Sequence, residues 1–140
     1  MTTVFDPLRL GAVALDVLAS GRAAPDAIAA RQKTRLAHLL DAAVRGSRLY
    51  RERLQGKTPA TLALSAVPVL DRTELMARFD DWVTDPLLKL TELRAFTADA
   101  QRIGEPYLGK YLVWESSGTQ HQPGVFVQDA RAMAVYDALE

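Results

Sequence analysis

The sequence predicts an α+β chain, mostly helical, with one β-hairpin near its C-terminal end. Three observations carry this. Apolar residues recur at helical spacing between proline starts and glycine stops through most of the chain. The first half is rich in alanine, the strongest helix former. Late in the chain, two β-prone runs, Leu112-Val113-Trp114 and Val125-Phe126-Val127, flank a turn of small hydroxyl residues, glycine and proline. Together these describe a single partial domain over 1–140. It comprises an N-terminal helix (1–24), a helical region (25–110), a strand–loop–strand (111–128) and a last helix (129–140) whose periodic pattern is still running at Glu140.

The helices follow from local signals. Asp6-Pro7 opens the first, with Leu8, Val13, Ala14, Val17 and Leu18 roughly on one face and Gly21 as a stop. Pro25 opens a longer one, striped by Ile28, Leu36, Leu39, Leu40, Ala43 and Val44 and closed by Gly46. Ser47 is placed to cap a short helix through Leu54. Lys57 to Ala66 reads as a connection, and Val67-Pro68-Val69-Leu70 as extended, because a residue before proline avoids the α region. Asp71 with Glu74 has capping-box spacing, with Leu75, Met76 and Phe79 continuing that helix. Asp85-Pro86 begins a further segment from Leu87 through Phe96, and Thr97 to Leu108 reads as loop. Asp129 caps the last helix.

Composition narrows the classes. The 140 residues carry 17 Lys+Arg against 17 Asp+Glu, so no basic field exists to track nucleic acid. There are no cysteines, which excludes a disulfide framework and thiolate metal sites and agrees with a reducing, cytoplasmic setting. Leu10 to Ala19 is apolar, yet Asp6 precedes it and Asp16 interrupts it, unlike a secretory signal. No run approaches the roughly 20 apolar residues that cross a bilayer, and no membrane partner is expected. The two histidines, His38 and His121, lie far apart in sequence and suggest no metal site. Adjacent Asp80 and Asp81 point apart on a helix end and read as a solvated terminus rather than an acid–base pair. Lys110 reads as a solvated strand-edge residue, and Tyr107, Tyr111 and Trp114 as packing residues.

The turn carries the chemistry. Ser116, Ser117 and Thr119 supply hydroxyls, and Gly118 and Gly124 allow positive φ, so backbone N–H groups can converge on an anion such as phosphate. An ordinary hairpin loop has the same composition. Neither the Walker lysine nor the dinucleotide glycines are present.

Ser116-Ser117-Gly118-Thr119 followed by Pro123-Gly124 resembles the phosphate loop of the adenylate-forming (AMP-binding, acyl-CoA synthetase) superfamily. The context is similar to its phenylacetate-CoA-ligase-like branch. The supporting stretches are Ser47 to Leu54, Val67 to Leu75, Phe79 to Pro86 and Leu108-Gly109, so the likeness spans about residue 30 onward. The resemblance implies an N-terminal portion of an ATP-dependent carboxylic acid:CoA ligase, which forms an acyl-adenylate and passes the acyl group to coenzyme A. It implies ATP, Mg²⁺ and coenzyme A as cofactors and a nucleotide and a carboxylic acid as partners. Ser116, Ser117, Gly118 and Thr119 would hold the ATP phosphates, with no catalytic or metal-binding residue among these 140. Gln120 and His121 depart from the pattern, which has a hydroxyl residue and a glycine there. In that family the remaining machinery follows the loop, so this portion is expected to be inactive alone. The alternative is a non-catalytic ATP- or pyrophosphate-binding module, or a helical interaction module. A lone hairpin also leaves edges, so an apolar face around Leu112, Trp114, Val125 and Val127 and self-association through it are expected.

Overall fold

A computed structural model describes residues 7–116 and 123–139. The chain divides into two compact units, 24–90 and the remainder. Each is taken separately below.

The 24–90 unit begins with the 22-residue helix α2 (Pro25–Gly46), the second after α1 (Pro7–Gly21). Pro25 stands at its start, where a missing N–H costs nothing. The chain turns sharply into α3 (Arg48–Arg53). Ser47 makes this possible: it is fully buried, its extended backbone starts α3, and its Oγ accepts the Tyr50 N–H at 3.3 Å. Two short 3-10 turns, Pro59–Thr61 and Leu64–Ala66, punctuate the connection that reads as irregular from sequence. Then come α4 (Arg72–Ala77) and α5 (Phe79–Trp82). Leu40, Leu49, Leu54, Met76, Phe79 and Leu88 form this unit's core.

Three expectations need correction here. The helix after Asp71 does not run through Phe79; it breaks at Arg78, whose φ −119° and ψ 30° are not helical. Only half of the capping box forms. Asp71 Oδ1 accepts the Glu74 N–H at 2.8 Å, but the Glu74 carboxylate turns to the Arg53 guanidinium instead of back to the cap. The helix expected from Leu87 starts at Leu90, because Asp85 Oδ1 accepts the Leu87 N–H and holds a turn there.

In the other unit, α1 packs on α7 (Ala130–Leu139). Val13, Ala14 and Val17 are half-buried as expected, whereas Leu8 and Leu18 are exposed. The half-buried set, joined by Leu10, has i, i+3, i+4, i+7 spacing. Asp129 caps α7 by accepting the N–H groups of Arg131 and Ala132. Helix α6 (Leu90–Ala98) buries Leu93 and Phe96. It ends two residues inside the segment read as loop, and a 3-10 turn at Ala100–Arg102 follows.

Strands β1 (Leu112–Glu115) and β2 (Val125–Gln128) pair antiparallel, with Val113 opposite Val127, Trp114 opposite Phe126 and Glu115 opposite Val125. Their burial is mixed, half-buried at Leu112, Val113, Val127 and Gln128. The register also corrects the expected apolar face. Opposite residues share a face and neighbours alternate, so Trp114 lies with Phe126, not with Val125. Trp114 and Phe126 are exposed, while Val125 is fully buried. The Tyr136 ring of α7 lies 6.4 Å from that of Trp114. Among the described residues, no helix is long and apolar enough to cross a membrane.

Candidate functional site

The hairpin presents the candidate phosphate-binding segment from a closed neck. The Ser116 N–H donates to the Gly124 carbonyl at 2.9 Å, and the Gly124 N–H donates to Ser116 Oγ at 2.9 Å. The strand pairing is thus extended by one rung beyond Glu115 and Val125. Two of the residues that bracket the segment are therefore fixed by each other. Ser117, Gly118 and Thr119, with Gln120 and His121, lie outside the described residues.

This pairing decides what the neck can offer an anion. The Gly124 N–H is committed to Ser116 Oγ and cannot join an anion-binding nest. Ser116 accepts through its oxygen, which leaves its hydroxyl hydrogen able to donate. Of the four residues expected to hold phosphate, Ser116 is the one whose surroundings are defined, and its chemistry fits a single donor to a phosphate oxygen. Glu115 does not oppose it. Successive strand residues point to opposite faces, and the Glu115 carboxylate accepts the Thr97 hydroxyl of α6 at 2.8 Å. No signal in the sequence marks Thr97 for this, since the pair is separated by 18 positions.

The approach to β1 is a second structured region. Tyr107 and Tyr111 form an isolated antiparallel bridge, with N–H···O distances of 2.8 and 3.0 Å. Between them Leu108 has φ 51° and Gly109 φ 68°, and the Lys110 N–H donates to the Tyr107 carbonyl at 3.1 Å. Two consecutive positive φ values make this a type I′ turn. Leucine at the first of these positions is strained by roughly 1–2 kcal/mol. Tyr107 is buried, meets the Phe96 ring edge-on at 5.2 Å and donates its hydroxyl to Glu92 at 2.9 Å. Burial first, and then the Glu92 carboxylate, push its phenol above the ordinary tyrosine value. Tyr107 is thus a packing residue, as the sequence suggests. Lys110 stands over the Tyr111 ring at 4.7 Å.

A cleft of about 420 Å³ runs between β1 and the segment from Phe96 to Glu105. Its charged lining is mixed: Asp99, Glu105 and Glu115 against Arg102. Arg102 is already engaged, stacked on Phe96 at 4.8 Å and paired with Glu105 at 3.4 Å. This surplus of carboxylates suits a neutral or cationic group better than a phosphate.

In the 24–90 unit the acidic pair has structural work. Asp80 accepts the Leu90 N–H at 3.0 Å and pairs with Lys89 at 3.4 Å. Asp81 binds Arg78 at 2.9 Å, and Arg78 also binds Glu52 at 2.7 Å. The two carboxylates point to different partners, as adjacent helix positions require. Hydrogen bonding by the Arg78 guanidinium holds both Glu52 and Asp81 below the ordinary carboxylate range. Among the described residues, no group of three or more His, Cys, Asp or Glu is arranged to hold a metal ion. His38 is exposed on α2. No family model matches the chain, and neither a curated protein nor a solved structure matches it.

Proposed function

We propose that this chain is the N-terminal, phosphate-gripping portion of an ATP-dependent carboxylic acid:CoA ligase of the adenylate-forming, phenylacetate-CoA-ligase-like kind. The observation that carries the reading is the Ser116–Gly124 rung at the head of an antiparallel hairpin. It fixes both ends of the hydroxyl- and glycine-rich segment and keeps one hydroxyl donor, that of Ser116, for an anion.

In this reading Ser116, Ser117, Gly118 and Thr119 donate to the phosphates of Mg·ATP. Phosphate transfer chemistry depends on positioned donors that neutralise developing charge, so these residues bind and orient, and no catalytic step is assigned to them. ATP would supply the adenylyl group that activates the acid, with pyrophosphate as the leaving group, and coenzyme A would receive the acyl group with release of AMP. The acid substrate is not specified by these residues.

Calorimetric titration with Mg·ATP and with pyrophosphate tests the reading. Saturable binding is expected. Thr119→Ala should weaken it about tenfold or more, the loss of one hydrogen bond to a charged group. Gln120→Thr with His121→Gly should strengthen it. Binding unchanged by Thr119→Ala, or absent in every variant, overturns the reading. Pyrophosphate exchange driven by a panel of aryl and alkyl acids should be silent for the 140-residue chain.

A further inference from the structure

A second cavity, of about 480 Å³, lies wholly within the 24–90 unit. One wall is α2, through Leu36, Leu40 and Ala43. The facing wall is the connection after α3, through Leu64 and Val67. Its size is that of a small-molecule site, and such sites are mostly apolar with a few placed polar groups. Among the described residues, none that lines it is charged.

Three lining residues carry polar atoms: Tyr50, Trp82 and Thr84. Thr84 is exposed, as are Leu39, Ala42 and Leu64, so the site is a groove open to solvent. Both Tyr50 and Trp82 are half-buried. The Trp82 N–H can only donate, and the two hydroxyls can donate or accept. The corner beside Thr84 is closely packed. Gly46 at the end of α2 approaches Thr84 so closely that a Cβ on it would lie 2.7 Å from Thr84 Cβ. Buried Ser47 ties the same corner to the Asp81 carbonyl at 2.9 Å.

We propose that this cavity is a binding site for an uncharged, aromatic or alicyclic small molecule that carries a hydrogen-bond acceptor such as a ketone. The acceptor accepts a hydrogen bond from the Tyr50 hydroxyl or the Trp82 indole N–H, and the rings lie against the leucines of α2. A carboxylate or phosphate is disfavoured, because among the described residues no cation lines the groove, and an anion that sheds water without gaining a partner is costly. The site is therefore separate from the phosphate-gripping segment and does not depend on that assignment.

The test uses the full chain and Prodan, an uncharged fluorescent naphthyl ketone, with naphthoate as its anionic counterpart. Prodan should bind saturably at one site per chain, with a blue-shifted emission, and naphthoate should bind at least tenfold more weakly. Ala42→Trp fills the cavity from an exposed lining position and should abolish binding while the helical circular dichroism is kept. Leu39→Trp, also exposed and lining, gives the same reading if Ala42→Trp does not fold. Tyr50→Phe should weaken Prodan about fivefold, the effect of one hydrogen bond. Saturating Mg·ATP and Thr119→Ala should leave Prodan binding unchanged, so failure of either reading is distinguishable from failure of the other. The proposal is overturned by no saturable Prodan binding, by naphthoate binding as tightly, or by undiminished binding in a folded cavity-filling variant.

Discussion

The Ser47 hydroxyl donates to the Asp81 carbonyl at 2.9 Å across 34 positions of sequence, from a side chain with no solvent exposure. The same oxygen accepts the Tyr50 N–H. One atom thus starts α3 and closes the end of α5 against it. Ser47→Ala removes the cap and leaves the Asp81 carbonyl without this donor. The expected loss is about 2–4 kcal/mol, from a cap worth roughly 1 and a carbonyl penalty of 1–3. Urea unfolding at neutral pH checks it; a loss below about 0.5 kcal/mol would mean that water replaces the bond.

Gly46→Ala sets two effects in opposition. Alanine is favoured over glycine inside a helix by about 1 kcal/mol. Its Cβ would, however, meet Thr84 Cβ at 2.7 Å and Cγ2 at 2.8 Å. Overpacking of this kind costs roughly 1–3 kcal/mol, and Thr84 Cβ is attached directly to backbone and cannot swing aside. A net loss of about 1 kcal/mol is expected. Thr84→Gly in the same chain should recover part of it, measured by a double-mutant cycle. Additive losses would show that the two positions do not clash.

Leu108→Asn should stabilise the chain by about 1 kcal/mol, since asparagine before glycine is the favoured pair for a type I′ turn. Thermal unfolding gives the readout. A lowered melting temperature would indicate that the leucine side chain contributes packing that outweighs the strain.

The Arg78 cluster predicts the acid limb of the stability profile. Glu52 and Asp81 hold their protons less tightly when folded than when unfolded. The unfolded chain therefore takes up protons first as pH falls through about 4. The stabilisation is complete above that value and is lost as pH drops through the lower folded values. Arg78→Gln should lower the melting temperature at neutral pH and flatten its fall between about pH 5 and 3. An acid limb as steep as that of wild type would place the titration elsewhere.

Several helix starts and stops were legible because their signals are local. Pro7, Pro25, Gly46, Ser47, Asp71 and Asp129 each act within one turn of where they stand. What sequence could not convey was the choice of distant partner. Glu74 has the spacing to complete its cap, yet Arg53, 21 positions away, takes its carboxylate. Arg78 breaks a helical pattern while it reaches Glu52 and Asp81. The hairpin strands were legible, but which side chains share a face depends on register, which no single strand encodes. At the candidate site, composition pointed to the hydroxyls of 116–119. The mutual pairing of Ser116 with Gly124, which removes one donor and keeps another, required the folded neck.

That rung also makes the hairpin head modular. Because pairing continues to Ser116 and Gly124, the register of β1 and β2 is set below the segment between them. A peptide grafted between Ser116 and Pro123, such as an epitope or a metal-binding sequence, would be carried on a stem whose pairing the flanking strands already set.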